Sequence, residues 1–343
     1  MMKSVAKLLC CLLLLFLLCP TTALAWTWTA VPVGKAPRVS GHVAATDAKK
    51  DRVIVFGGLT GNAGSPCTDQ LWTFSDNKEW SLVKNSGSSG PGPRMYSAAA
   101  VLHDTLYLVG GWDPGAPKSG GTFLDEIWTL DLTAENLEWK KEESNTLPCG
   151  PVSRHAACTV GDDTLVVHTF RGVVVLTSDG EWKEQETSGE APEGLSMCAM
   201  SPLTDTSLLV FGGSTQTQQL SADAFVLDTK TWEWTKLDCS SAGPSPRASP
   251  SAAHIGDNQC VIFGGASLGD GGYQGGAGLQ AQGDAWVLTV DGSKCVWEKI
   301  ETSNGPKPRL AASLCSASSD SGLLLQGGWD PAGETFEDTW ILQ

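Results

Sequence analysis

The chain has 343 residues and a formal net charge of −15, because 38 acidic residues outnumber 23 lysines and arginines. Nucleic-acid binding needs clustered Lys and Arg to contact phosphates, so this balance argues against a nucleic-acid partner. The eleven cysteines include no CxxC pair, which removes support for a zinc-ribbon or thioredoxin-type site.

The first 25 residues have the pattern of a secretory signal peptide. Lys3 and Lys7 precede an apolar run over residues 8–18, and Ala23-Leu24-Ala25 has the small-x-small form of a cleavage site. The run is shorter than the roughly 20 residues of a transmembrane helix, so an uncleaved membrane anchor is the weaker alternative. We therefore expect a mature chain from Trp26, outside the cell or in the secretory-pathway lumen, with no membrane attachment.

Eight cysteines lie beyond residue 25, and an even count in a secreted chain allows up to four disulfides. The sequence does not set their pairing. Four of them stand inside apolar strand-like runs, where small buried hydrophobic side chains are an equally good interpretation. These four are Cys158, Cys198, Cys260 and Cys315.

A phrase of Pro and Arg, an apolar run, a Gly-Gly doublet, a variable loop and two tryptophan-bearing strands returns along the chain. The doublets end at Gly58, Gly111, Gly213, Gly265 and Gly328, and the second tryptophan strand reads EWSLV, EWKKE, EWKEQ, EWTKL and VWEKI in successive units. Only glycine tolerates the sharp turn and close backbone approach expected at the end of a buried strand. Each unit therefore predicts four short strands separated by turns.

The doublet with its spaced tryptophans resembles the kelch repeat, and the resemblance covers the whole chain after residue 25. It implies an all-β fold, a six-bladed kelch-type β-propeller. Five or seven blades are the alternatives. The unit at 151–186 is short and has HTFRG in place of the doublet. The predicted blades are 36–84, 92–142, 151–186, 191–237, 244–300, and 306–343 together with 26–31.

The last unit ends after three strands, without its outer tryptophan strand. The isolated stretch WTWTAV at residues 26–31 aligns with WEWTKL from Trp232, including both tryptophans. The sequence therefore predicts that the N-terminal strand completes the last blade and closes the ring, so that no sheet edge is left unpaired.

Candidate binding residues lie where variable loops leave one face of the predicted propeller. The repeat arginines can ring the channel and bind carboxylates, or can brace their own blades. Two tryptophans in WDP segments can be exposed anchors or can pack on their blades, and a tyrosine in the Gly-rich fifth loop is a third type of candidate. The residues are Arg38, Arg94, Arg154, Arg247, Arg309, Trp112, Trp329 and Tyr273.

Catalytic motifs such as GxSxG, HExxH and the P-loop are absent, and the five histidines show no metal-ligand spacing. We expect a secreted, monomeric, non-enzymatic module without cofactor, metal or catalytic residues, which binds a protein or a glycan through one face. The alternative is a propeller enzyme that acts on a sugar or another small molecule, as sialic-acid-processing or oxidase-like propellers do. That alternative requires His155, Arg154 and an acid to converge in the channel.

Overall fold

The computed structural model describes residues 26–32, 34–61, 64–75, 77–83, 90–115, 120–256, 258–269, 278–317 and 322–343. These residues contain strands and turns and no helix. None of the described segments is therefore a helix that could cross a membrane. The predicted signal peptide and Tyr273 lie outside the described residues and stay predictions.

Thirty strands are numbered in chain order, from β1 (Trp28–Val31) onward. Blade 1 holds β2 (Val43–Asp47), β3 (Arg52–Phe56), β4 (Leu71–Ser75) and β5 (Trp80–Leu82). Blade 2 holds β6 (Ala98–Leu102), β7 (Thr105–Asp113), β8 (Thr122–Asp131) and β9 (Trp139–Thr146). Blade 3 holds β10 (Ala156–Val160), β11 (Thr164–Thr169), β12 (Gly172–Leu176) and β13 (Trp182–Gln185).

Blade 4 holds β14 (Ser188–Gly189), β15 (Ala199–Thr204), β16 (Ser207–Phe211), β17 (Ala224–Asp228) and β18 (Glu233–Lys236). Blade 5 holds β19 (Asp238–Cys239), β20 (Ser251–Gly256), β21 (Gln259–Phe263), β24 (Ala285–Asp291) and β25 (Lys294–Ile300), and its loop contains the pair β22 (Ala266–Leu268) and β23 (Leu279–Ala281). Blade 6 holds β26 (Ser313–Ser316), β27 (Leu323–Gln326) and β30 (Thr339–Leu342), and its loop contains β28 (Trp329–Asp330) and β29 (Glu334–Thr335).

The composition of each strand follows its distance from the channel. The innermost strands are rich in small residues, such as AAAVL in β6, because six of them crowd around one axis. The second strands are mostly buried, and SLLVF in β16 is buried along its whole length, because neighbouring blades cover both faces. In the third strand β4, burial alternates with period 2 from Trp72 to Ser75.

The ring closes as the sequence predicted. The innermost strands contact one another in order, and the last contact joins β26 to β2. Strand β1 pairs antiparallel with β30, so that Trp28 lies opposite Leu342 and Val31 lies opposite Thr339. The N-terminal strand therefore supplies the fourth strand of blade 6, and the six-bladed propeller is confirmed.

The same contact recurs at the seams between blades. The residue before the doublet touches the outer-strand tryptophan of the next blade, edge to face, at 5.0 Å for Phe56 and Trp139 and at 5.0 Å for Phe211 and Trp297. Trp28 makes this contact with Phe263 at 5.2 Å. The N-terminal strand thus closes the ring with the same packing that joins the other blades, each pair being worth about 0.5–1.5 kcal/mol beyond the area that it buries.

Each doublet also docks on the following blade. The N–H of Gly58 donates to the Arg94 carbonyl at 2.8 Å, and Gly328 donates to the Val39 carbonyl at 2.9 Å across the closing seam. A Cβ on Gly57 would lie 2.8 Å from the Arg94 carbonyl oxygen, with φ at +72°. The close approach of two backbones, together with the left-handed φ, accounts for the glycine at this position.

Blade 3 joins its second and third strands by a tight turn at Phe170 and Arg171, where other blades have the doublet and a loop. His168 takes the place of the phenylalanine and meets Trp234 of blade 4 edge to face at 5.8 Å. Blade 3 therefore keeps the strand order of its neighbours but presents almost no loop.

One disulfide, Cys239–Cys295, joins the short parallel strand β19 to the outer strand β25 of blade 5. The other described cysteines are free thiols. Burial raises the pKa of the Cys158, Cys198, Cys260 and Cys315 thiols, as expected for small buried apolar side chains.

Three buried histidines stand at blade seams. His42 Nε2 lies 2.9 Å from Ser313 Oγ across the closing seam, and His155 Nε2 donates to the Val109 carbonyl of blade 2 at 3.0 Å. His168 faces blade 4. Burial lowers the pKa of each from 6.5 to about 4, so all three imidazoles are neutral at pH 7.

We expect Trp28→Ala to lower the free energy of unfolding by about 3–5 kcal/mol, because it removes a buried indole from the closing seam. Urea denaturation at pH 7 measures the change. Leu82→Ala is the control, since Leu82 is 40% exposed on an outer strand and should cost under about 0.5 kcal/mol. Equal costs for the two variants would contradict a closing role for Trp28.

Stability should fall as the pH drops from 7 to 5. The unfolded chain takes up protons at its histidines below pH 6.5, whereas the folded chain resists protonation down to about pH 4. Each histidine then removes about 1.4 kcal/mol per pH unit within that window. His168→Phe introduces the phenylalanine found at three other seams. It should reduce the slope of stability against pH, measured by urea denaturation, by the contribution of one histidine. An unchanged slope would show that His168 titrates normally in the folded protein.

Candidate functional site

The mouth of the channel is framed by six residues that precede the innermost strands. All six have a left-handed backbone, with φ between 51° and 61°. Each N–H donates to the carbonyl of the equivalent residue in the preceding blade at 2.7–3.1 Å, and the sixth bond returns to the first. We call this set the mouth ring: Gly41, Tyr96, Arg154, Met197, Ser249 and Ala311.

The mouth ring surrounds a cavity of about 160 Å³. The residues that follow each ring position, among them His42, Ser97, His155 and Cys198, complete the lining. The cavity has room for one side chain and not for a folded domain. It opens on the face where the second and third strands of each blade are connected, which we call the loop face.

Three of the predicted arginines, Arg94, Arg247 and Arg309, are buried inside their own blades. The Arg247 guanidinium donates to both carboxylate oxygens of Asp284 at 2.6 and 3.0 Å and to the Gly264 carbonyl at 2.9 Å. Arg309 makes the equivalent bonds to Asp338 and Gly327, and Arg94 bonds Glu126 and Gly110.

The acids of these three pairs are held ionised. Burial alone would raise the pKa of the Glu126 carboxyl, but hydrogen bonds from Lys141, Arg94 and Trp128 lower it to about 2. The same balance lowers the pKa of Asp284 and Asp338. This geometry is the bracing arrangement, and it leaves these three guanidinium groups committed within the protein.

The other two arginines do not occupy the bracing position. Arg38 is exposed on the loop face and donates to the Thr335 carbonyl of blade 6 at 2.8 Å. In blades 1 and 3, the doublet of the preceding blade donates its hydrogen bond to the carbonyl of Val39 and of Val152, and not to the carbonyl of an arginine. Arg154 stands two residues after Val152 and is a member of the mouth ring. All five arginines follow a proline closely in the sequence. The fold nevertheless gives them three kinds of position: three are braced inside a blade, Arg38 is exposed, and Arg154 belongs to the mouth ring.

The guanidinium group of Arg154 is a cation at the channel mouth. Its guanidinium lies 5.0 Å from the Tyr96 ring and 5.6 Å from the Trp112 ring, and the side chain is half-buried. Within the described residues, no carboxylate lies at ion-pair distance from it. The aromatic rings fix the direction of a planar group whose N–H donors are available to a ligand.

The two predicted tryptophans, Trp112 and Trp329, are half-buried, and a binding role for them stays a prediction. Trp112 bridges to Met95 within its own blade while its ring stacks on Arg154. Trp329 bridges to Leu310 and packs on an apolar cluster beside the mouth that includes Ala311 and Tyr96. Both tryptophans therefore belong to the rim of the channel mouth.

Tyr96, Met197 and Phe123 belong to this surface and were missed by the sequence reasoning. Tyr96 and Met197 stand at a repeat position whose side chain changes from blade to blade, so no pattern marks them. Aligning the units on the innermost strand, instead of on the proline, would have found them. Phe123 is 51% exposed on β8, in a hairpin that extends beyond the blade.

Arg154 and His155 both line the mouth cavity, and none of the described residues that line it is a carboxylate. The His155 imidazole donates from Nε2 to a backbone carbonyl, and burial lowers its pKa to about 4. Within the described ranges, no group of three or more His, Cys, Asp or Glu residues is arranged to hold a metal ion. The His155 imidazole is thus committed to the backbone of blade 2.

The family assignment agrees with this architecture. A family model described as the KLHDC2/KLHL20/DRC7 Kelch-repeats domain matches residues 13–177 and 171–343. Adagio protein 3 of Arabidopsis thaliana is 29% identical over 94% of this chain and 52% of its own length. Acyl-CoA-binding domain-containing protein 6 of Oryza sativa subsp. japonica is 27% identical over 70% of this chain and 35% of its own length.

The chain thus spans about half the length, or less, of these two relatives. The solved structure of YjhT superposes with a TM-score of 0.66 at 18% identity, covers 91% of this chain and 99% of its own, and is a likeness of fold alone. Five of the six blades carry the doublet, three carry the braced arginine, and a family model matches nearly the whole length of the chain. The chain therefore belongs to the kelch-repeat family.

Proposed function

We propose that this protein is a non-enzymatic module that binds another protein through the loop face, with the channel mouth at the centre of the contact. The observation that carries the proposal is the Arg154 guanidinium, which lies beside the rings of Tyr96 and Trp112 and forms no ion pair with an acid among the described residues. Kelch propellers generally serve as protein-interaction modules, which agrees with this use of the surface.

The rim of the mouth has the composition of an interaction surface. Aromatic residues and arginine are enriched at the centres of protein interfaces, and Tyr96, Trp112, Trp329 and Arg154 meet there. Phe123 and Leu268, which are 51% and 38% exposed, are large apolar side chains on the connections of blades 2 and 5. They widen the apolar area around the central cation.

We place this activity outside the cell or in the secretory-pathway lumen. The signal-like N-terminal segment supports that location, and the Cys239–Cys295 disulfide supports it independently, because such bonds persist in oxidising compartments. The net charge of −15 favours solubility and limits binding to anionic surfaces.

The proposal is tested by capture from extracellular medium with the purified full chain after its N-terminal segment is processed. The captured protein is then identified, purified and titrated against variants. We expect Phe123→Ala to weaken binding about 10-fold or more, because truncated aromatic anchors commonly cost over 1 kcal/mol.

Leu82→Ala is the matched control, since Leu82 is also an exposed apolar residue but lies on the outer strand β5 of blade 1. It should leave the affinity unchanged. Equal loss in both variants, or binding that disappears when glycans are enzymatically removed from the partner, would overturn the protein-recognition proposal for the loop face.

A further inference from the structure

Arg154 of the mouth ring differs from the braced arginines in its partners. The three braced arginines are neutralised by Glu126, Asp284 and Asp338. The Arg154 guanidinium contacts the rings of Tyr96 and Trp112 and has no ion-pair partner in the part of the chain that the structure describes. In a chain with a net charge of −15, this cation is complementary to an anionic group brought by a ligand. A carboxylate satisfies the planar fork of donors best, because it can accept two of them.

The strand connections on the two sides of Arg154 also differ in length. On one side, the β7–β8 hairpin of blade 2 continues past the doublet to Asp113 and Thr122. On the outer side of Arg154, blade 3 has only the turn at Phe170 and Arg171. Blades 4, 5 and 6 connect the corresponding strands by the longer segments 212–223, 264–284 and 327–338. The connection of blade 3 is therefore the shortest between a second and a third strand.

The blade 2 hairpin lines this opening with apolar surface. Trp112 and Phe123 are directly paired across β7 and β8, so their side chains lie on the same face of the hairpin. Trp112 uses that face to stack on Arg154, which places Phe123 on the side of blade 3, farther from the channel. Leu124 bridges to Val152 in the segment that leads into blade 3, and so holds the hairpin against it.

The floor of the opening is built from the short turn itself. Arg171 stacks on the Phe170 ring at 4.9 Å and donates to the Cys149 carbonyl, three residues before Val152. On the loop face of blades 2 and 3, the surface thus contains the Arg154 cation, the hairpin wall with Trp112 and Phe123, and the Phe170 ring. A cation and apolar side chains therefore belong to the same two neighbouring blades.

We propose that the partner's binding element is an extended peptide segment, whose carboxylate binds Arg154 at the channel mouth and whose chain leaves over the β11–β12 turn of blade 3 beside Phe123. An apolar residue next to the acidic one packs on the hairpin wall. The mouth cavity of about 160 Å³ admits a side chain and not a domain, which favours an extended segment over a folded surface. This inference rests on the proposed use of the loop face.

The anionic anchor is tested with two fluorescein-labelled heptapeptide mixtures that are random except for a central glutamate in one and a central glutamine in the other. We expect the wild-type protein to retain the glutamate mixture at least 10-fold better in fluorescence polarisation titrations. Arg154→Gln should abolish the difference. Arg38→Gln removes an exposed arginine of the same face outside the mouth ring, and should preserve it.

The path of the chain is tested with a photo-crosslinking benzoylphenylalanine placed at Phe170 or, as control, at Gln216 on the exposed blade 4 connection. The glutamate mixture should crosslink at position 170 and not at 216. Crosslinking at 216 alone would overturn the path, and equal retention of the two mixtures would overturn the anion anchor. If either occurs while Phe123→Ala still weakens capture of the purified partner, the segment proposal fails and loop-face recognition stands.

Discussion

The closed circle of six backbone hydrogen bonds at the channel mouth is the constraint on which the rest of the structure depends. It requires a left-handed φ at six equivalent positions, and glycine occupies only the one at Gly41. The remaining five residues adopt a conformation that costs L-residues about 1–2 kcal/mol each. A circle of bonds that closes only when all six blades are in place offsets this cost. The backbone at the mouth is therefore specified by the architecture, while the side chain at each ring position is left to serve recognition.

The seams show how one junction tolerates several side chains. An outer-strand tryptophan meets Phe56, Phe211, Phe263 or His168 in nearly the same edge-to-face geometry. At the seam between blades 6 and 1, the residue before the doublet is Gln326 instead, and the Trp80 indole reaches it through Thr339 by hydrogen bonds of 2.9 and 2.6 Å. The tryptophan is the fixed partner because it supplies both a large apolar face and one N–H. The facing residue can change as long as it satisfies one of the two.

The fold could be predicted from the sequence because its signals are local and repeated. The doublets and the tryptophan strands each recur in several units. The isolated strand at Trp28 aligns with the outer strand of another unit. The site could not be predicted in the same way, since recognition residues are those that differ between blades. Arg154 follows a proline as Arg247 does, yet two additional residues move it from the bracing position into the mouth ring. Only the innermost strand, which the fold aligns across blades, reveals that shift. The sequence did not mark Phe123 as a site residue, because its exposure depends on the β7–β8 hairpin extending beyond the rest of blade 2.

The irregularity of blade 3 links the fold to the site. In blades 2, 5 and 6 the bracing arginine pairs with an acid that stands just before the third-strand tryptophan, and the indole N–H binds the same carboxylate. Blade 3 has Val152 at the arginine position, and its third strand starts at Gly172 directly after the tight turn, so the acid and its loop are missing together. An arginine at the ring position of this blade therefore has no acid of its own blade to neutralise it, and no loop to cover it. The missing brace of blade 3 leaves both an available cation and an open side of the rim, which is why we locate the anionic anchor of the ligand at blade 3.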